Sequence, residues 1–320
     1  MQNHKKIKLL KISSELGAGT RGSSKGFEGL KSAASMKGSN VFNDYEIISI
    51  KDENDSLLKN INFPNAKRIK SIYEVLSRVT KSVHCELQQN QFPVLISGDH
   101  STAIGTIAGI KSSFPQKKTG VIWIDAHADI HTPFTTPSGN MHGMPIAASL
   151  GLDNSSLASN TPKKEVINLW NKIKLLGGEG ANISPENIVY IGLRDTEWQE
   201  EKIIKELNIC EYSVEFIRKK GGHKSAQAIL NKLEKCDLIY ISFDVDVLDT
   251  SLSLGTGTPV PNGLFLNEVK SLISELSKSK KLCCFEIVEI NPTIDNKGNF
   301  MAEMGLEVLE TLIQCLKITS

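Results

Sequence analysis

Short apolar runs rich in β-branched residues recur along the chain, each followed by a polar cluster. They are KIKLLKIS (6–13), YEIISI (45–50), FPVLIS (92–97), GVIWI (120–124), NIVYIG (187–192), DLIYISF (237–243) and LCCFEIVEI (282–290). Most lack strict apolar–polar alternation, which is the pattern of strands covered on both faces. Helical periodicity fills the intervals. Over 66–90, apolar residues return at Ile69, Ile72, Val75, Leu76, Val79 and Val83. Segments 198–207, 224–235, 265–279 and 301–317 read similarly. Strands alternating with helices predict an α/β fold, a parallel sheet with helices on both sides.

Two stretches break the rhythm. Residues 17–40 are rich in Gly, Ser and Lys, and are expected to form a surface loop and short helix over a site mouth. Residues 151–186 open on the polar GLDNSSLASNTPKK, continue with the helix-like KEVINLWNKIKLL, and close on GGEGANISPEN. They are expected to form an inserted helical element. No internal repeat and no dividing linker is visible. Residues 1–320 are therefore expected to form a single catalytic domain.

Composition narrows the partners. Lys plus Arg total 37 against 36 Asp plus Glu, a formal net charge of +1. Nothing in this balance calls for nucleic acid or an acidic membrane surface. The front of the chain is basic, but its apolar run is interrupted by charge. It makes a poor signal peptide, and no run approaches the roughly 18 apolar residues of a spanning helix. The six cysteines form no C-x-x-C pair, which speaks against a zinc ribbon or dithiol redox site. A cytoplasmic protein with reduced thiols is expected.

The chemistry lies at the ends of the runs. PVLIS leads into Asp99 and His100, and VIWI into Asp125, His127, Asp129 and His131. DLIYIS leads into Asp244, Asp246 and Asp249, and CCFEIV into Glu289. In open α/β sheets, ligands bind outside the carboxyl ends of the strands. Each element has a plain alternative. Asp99, His100 and Ser101 suit the cap of a helix starting near Thr102. D-x-D is also a turn signal, and D-x-H-x-D suits a solvated strand end. All would have to coincide for the pattern to be accidental.

Asp125, Asp129, Asp244 and Asp246 supply four negative charges, matching two divalent cations. His100 and His127 complete a mixed N/O set. Such ligands suit hard ions such as Mn²⁺, with Co²⁺, Fe²⁺ or Zn²⁺ also admissible. Two metals about 3.5–4 Å apart can share and ionise one water at neutral pH. His131 stands apart. At about 3.3 Å per residue, an extended Asp125-to-His131 span is roughly 20 Å, too long for one metal pair. The chain must curl even to bring in Asp129.

The ordered segments SGDHS, DAHADIHTP, SGNMHGMP (138–145), SFDVDVLD with GTGTP (242–259), and EINP (289–292) resemble the ureohydrolase family in its arginase branch. The resemblance implies a three-layer α/β/α fold with a mostly parallel sheet. It implies a binuclear manganese centre held by His100, Asp125, His127, Asp129, Asp244 and Asp246. It implies hydrolysis of arginine to ornithine and urea. Asp129 would orient the nucleophilic water, His142 would shuttle a proton to the leaving amine, and Glu289 would pair with the substrate guanidinium. Ser138 and Asn140 would bind the α-carboxylate, with Thr136 and Thr258 lining the same pocket. Asp195 and Glu197 would face the α-amino group, and His131 the α-carboxylate.

His131 stands where this branch more often has Asn, and Glu197 replaces a shorter Asp. LDT (248–250) replaces L-D-P, and PNG (261–263) replaces a glycine pair. The alternatives are another guanidino substrate, such as agmatine or guanidinobutyrate, and a non-catalytic guanidino-binding relative. The expected partner is the guanidino substrate, in a homo-oligomer of unspecified order.

Overall fold

The computed structural model describes residues 6–319. Residues 1–5, part of the segment read as a poor signal peptide, and residue 320 lie outside them. Eight strands form one sheet. They are β1 (Ile7–Ile12), β2 (Ile47–Ile50), β3 (Phe92–Ser97), β4 (Thr119–Ile124), β5 (Ile188–Ile191), β6 (Cys210–Tyr212), β7 (Leu238–Asp244) and β8 (Leu282–Val288). Their order is β2-β1-β3-β8-β7-β4-β5-β6, and every pairing is parallel. The expectation of a mostly parallel sheet is met in full.

Every residue of β3, β4, β7 and β8 is buried. Side chains on both faces of these strands meet helices, so their sequences read as unbroken apolar runs. On one face pack α1 (Gly26–Lys37), α6 (Val214–Lys232), α7 (Leu266–Leu276) and α8 (Phe300–Thr319). On the other pack α2 (Ile69–Gln88), α3 (Ala103–Ser113), α4 (Lys164–Lys174) and α5 (Trp198–Glu206). Alternation along β4 shows how the layers interlock. Val121 and Trp123 enter the second layer, Ile122 and Ile124 the first.

Two elements that the periodicity does not reveal have physical reasons. Edge strand β6 is three residues long and only partly buried, too short to show a pattern. Helix α3 is buried around most of its surface, so it has no polar stripe. Gly105 and Gly109 let it press against α2. A Cβ at Gly105 would lie 2.8 Å from Val79 Cβ, and one at Gly109 would lie 2.7 Å from Val83 Cβ. Helix α6 also begins earlier than its periodicity suggests, with a break at Gly221 where φ is 73°.

Both irregular stretches pack against the core. In 17–40, helix α1 buries Phe27, Leu30, Ala33 and Ala34. The preceding loop is tied to the strand ends, with Gly17 N–H donating to Asp99 Oδ2 (3.0 Å) and His142 N–H donating to the Gly17 carbonyl (3.2 Å). In 151–186, α4 buries Val166, Trp170 and Ile173. Asn160 Nδ2 donates to the Thr136 carbonyl (2.7 Å), and the Ser159 and Asn160 N–H groups donate to the Phe134 carbonyl (each 2.9 Å). This segment therefore buttresses the loop after β4.

Candidate metal centre

Beyond Ile124, Ser97, Asp244 and Val288, the four central strands release their chains at one end of the sheet. Parallel pairing puts all four carboxyl ends on the same side, where polar side chains can converge without interrupting the core. His100 sits in the turn His100–Thr102, capped by Asp99, whose carboxylate accepts from Ser101 N–H (2.9 Å). Asp99 thus serves as a cap, and His100 beside it points inward. Its Nδ1 lies 3.0 Å from Asp125 Oδ2, 3.2 Å from Asp129 Oδ2 and 3.2 Å from Asp244 Oδ2. On the other side, His127 Nδ1 lies 2.9 Å from Asp246 Oδ2 and 3.5 Å from Asp125 Oδ1. Asp125 belongs to both sets, so its carboxylate would serve both if each held an ion.

The backbone aims these groups. Asp125 Oδ1 accepts from His127 N–H (2.7 Å), Asp246 Oδ1 from Ala126 N–H (3.1 Å) and Asp244 Oδ1 from Asp246 N–H (2.8 Å). Asp129 and Glu289 have φ of 52° and 63°. A left-handed non-glycine residue costs about 1–3 kcal/mol. Both sit where the chain must turn sharply to keep a side chain at the strand ends. Asp129 is the curl that D-x-H-x-D needs.

Donor chemistry fits divalent cations. His100 Nδ1 and Asp125 Oδ2 are buried atoms without hydrogen-bond partners, facing the same point as Asp129 and Asp244. Like charges about 4 Å apart, at an effective dielectric near 20, repel by about 4 kcal/mol per pair. Burial, reinforced by that repulsion, pushes the carboxyls of Asp129 and Asp244 above their ordinary range, and Asp246 to about 6. Two divalent ions would balance the four carboxylates and occupy the orphaned lone pairs.

A cleft of about 260 Å³ opens above. Its lining includes His131, Thr136, Ser138, Asn140, His142, Asp195, Glu197, Glu200 and Thr258. Glu289 is not part of this lining; it lies behind His142, 3% exposed, where Oε1 accepts from His100 N–H (3.0 Å) and from His142 Nδ1–H (3.1 Å). Burial opposes charge on His142. The bond to Glu289 and the charges of Glu289, Asp129 and Asp99 outweigh it, raising its pKa to about 8. Thr258 Oγ1 donates to Asp246 Oδ2 (3.3 Å), and Asp195 Oδ2 lies 3.5 Å from His127 Nε2. Thr136 Oγ1 accepts from Gly139 N–H (2.9 Å), and Ser138 Oγ from Asn140 N–H (3.1 Å).

His131 does not join the Asp/His cluster. Its Nε2 lies 3.0 Å from Glu197 Oε2, and its Nδ1 3.1 Å from Thr135 Oγ1. The hydrogen bond from His131 holds the Glu197 carboxyl down to about 2. Glu197 also caps α5, in a reciprocal box with Glu200. Sequence reasoning missed several contributors. Lys67 Nζ donates to Asn140 Oδ1 (3.0 Å). Trp123 stacks on His100, with ring centroids 4.0 Å apart and planes 3° apart. Arg194 ties the Asp246 carbonyl to the loop carbonyls of Val260 and Pro261. Only Glu200 carried a signal, an acid three residues after a helix-starting acid.

Four aspartates and two imidazoles at the carboxyl ends of a parallel sheet define the class, an α/β/α protein with a carboxylate-rich site for two cations. A family model described as "Arginase family" matches residues 5–315. An arginase from Entamoeba histolytica is 36% identical over 234 residues, covering 73% of each chain. The Bacillus subtilis arginase is 35% identical over 270 residues, 84% of this chain and 82% of that one. The crystal structure of E. histolytica arginase in complex with L-ornithine matches with a TM-score of 0.81 at 29% identity, covering 98% of this chain and 99% of that one. The chain belongs to the arginase family.

Proposed function

We propose that the chain hydrolyses L-arginine to L-ornithine and urea at a dinuclear manganese centre held by His100, Asp125, His127, Asp129, Asp244 and Asp246. The observation that carries this reading is the pair of donor sets sharing Asp125 beneath a cleft lined by His142, whose Nδ1 meets Glu289 Oε1. Carboxylate-rich ligation favours Mn²⁺, with Co²⁺ and Fe²⁺ next. Thiols at all six cysteines suit the reducing cytoplasm, and among the described residues no helix is long and apolar enough to cross a membrane. A homo-oligomer is proposed from the sequence resemblance alone.

When bound, the cations supply a water ionised at neutral pH. The residues do the rest. Glu289 accepts the planar guanidinium from below and fixes its carbon against the water. Asp129 orients that water and relays its proton. A departing amide anion is too basic to leave unaided, so a proton must reach it. His142, with a pKa near 8, is mostly protonated at neutral pH and can deliver one. Ser138 and Asn140 take the α-carboxylate, with Thr136 and Thr258 along the same wall. Asp195 and Glu197 take the α-amino group. His131 holds Glu197 in place at this end.

The test is urea release from arginine, agmatine, guanidinobutyrate and formiminoglutamate, with and without Mn²⁺ preincubation. Arginine should lead. Agmatine leading would transfer the reading to a substrate without the α-carboxylate. His142→Ala should keep both ions and lose about 10²–10⁴-fold in kcat; loss of metal would make His142 a ligand instead. His131→Asn should also keep both ions, with KM raised about 10–150-fold for one lost hydrogen bond to a charged group. An ion lost from that variant would return His131 to the ligand set.

A further inference from the structure

Lys67 stands two residues before α2, half-buried, and the chemistry above makes no use of its charge. The turn that carries it is locked to the loop after β4. Lys67 N–H donates to the Gly139 carbonyl (2.8 Å). Gly139 has φ of 74°, and a Cβ there would run into the Pro64 carbonyl oxygen. The two segments therefore meet backbone to backbone, as only glycine permits. From this seat Lys67 Nζ donates to Asn140 Oδ1 (3.0 Å). Asn140 lines the cleft beside Ser138, and Lys67 stands behind it. Among the described residues no carboxylate forms an ion pair with this ammonium, and Asn140 Nδ2 makes no hydrogen bond. A Cβ on Gly19 would lie 2.7 Å from that Nδ2, so glycine keeps the space before the amide open.

We propose that Lys67 is a positioning residue that makes Asn140 a donor toward the substrate's α-carboxylate, and so selects an amino acid over its decarboxylated amine. The inference rests on the reading of Ser138 and Asn140 as the α-carboxylate subsite. An amide side chain can present either its oxygen or its nitrogen to a ligand. An ammonium only donates, so it takes the oxygen and leaves the nitrogen free. Without the lysine nothing fixes that choice, and an oxygen turned to the cleft would repel a carboxylate. The lysine's charge works in the same direction, because it attracts a carboxylate bound in front of Asn140. Asp195 and Glu197 line the same cleft. A cation behind one wall and acids in another match a zwitterion, which carries both charges.

Steady-state kinetics of the Mn²⁺-loaded protein test this, with L-arginine as substrate and agmatine, which lacks the α-carboxylate, as competitor. In Lys67→Met, KM for arginine should rise about 10-fold, the low end for a hydrogen bond to a charged group, because Asn140 itself remains. The kcat for arginine and the inhibition constant of agmatine should not change. Lys67→Arg keeps a donor-only cation and should recover most of the lost affinity. The proposal is overturned if Lys67→Met binds arginine like the wild type. It is equally overturned if arginine and agmatine weaken alike, the mark of a lysine that only braces the loop. Asn140→Ala separates this inference from the reading beneath it. A raised KM in Asn140→Ala but not in Lys67→Met removes Lys67 alone. An unchanged KM in Asn140→Ala overturns the α-carboxylate subsite, and a wild type that makes no urea from arginine overturns the proposed function itself.

Discussion

Asp129→Ala should lose metal and activity together, with retained metal falling from two ions to one or none and kcat falling by at least about 10⁴-fold. The expectation follows from placement. Asp129 lies 3.2 Å from His100 Nδ1 and is held there by a left-handed backbone turn. Its carboxylate is one of the four charges facing the cations, and in the proposed chemistry it also orients the water and relays the proton. Alanine removes all of these contributions at once. It also relieves repulsion with Asp125, so the metal-free variant should be no less stable than the metal-free wild type. Metal content and urea release measured on one preparation decide the matter. An Asp129→Ala protein that keeps both ions would remove Asp129 from the ligand set and leave it, at most, a proton relay.

Glu289→Gln is the complementary case. Both ions should stay, while kcat/KM for arginine falls by about 10²–10⁴-fold, corresponding to the roughly 3–5 kcal/mol of a broken buried charge pair. Glutamine keeps a carbonyl oxygen to accept from His100 N–H, the bond that ties Glu289 to the ligand turn. It cannot neutralise a guanidinium, nor hold His142 as strongly as the carboxylate does. Loss of metal would instead mean that Glu289 acts by supporting His100 rather than by binding substrate.

Much of this arrangement is legible in the residues, and the gaps are instructive. Strands β3, β4, β7 and β8 read as apolar runs because helices cover both faces. Their last residues mark the site, because parallel pairing forces the carboxyl ends together. The separation of His131 from the Asp/His cluster follows from strand rise alone. Its partner does not, since Glu197 arrives from beyond β5, the strand beside β4, and distance in sequence hides that meeting. Helix α3 gives no amphipathic signal, because it is buried almost all round. Glu286 is visible as the one acid among LCCFEIV, yet its four hydroxyl partners, Ser97, Thr102, Thr106 and Tyr240, lie on four separate segments.

The central claim is that these donors hold two cations that turn arginine into ornithine and urea. Its most direct test is urea release from L-arginine by chelator-stripped protein titrated with Mn²⁺. The stripped protein should be inactive. Activity should rise in step with bound metal and reach its plateau at two equivalents per chain, with ornithine and urea formed one for one. Full activity in stripped protein, or no urea from arginine with both equivalents bound, would contradict the account.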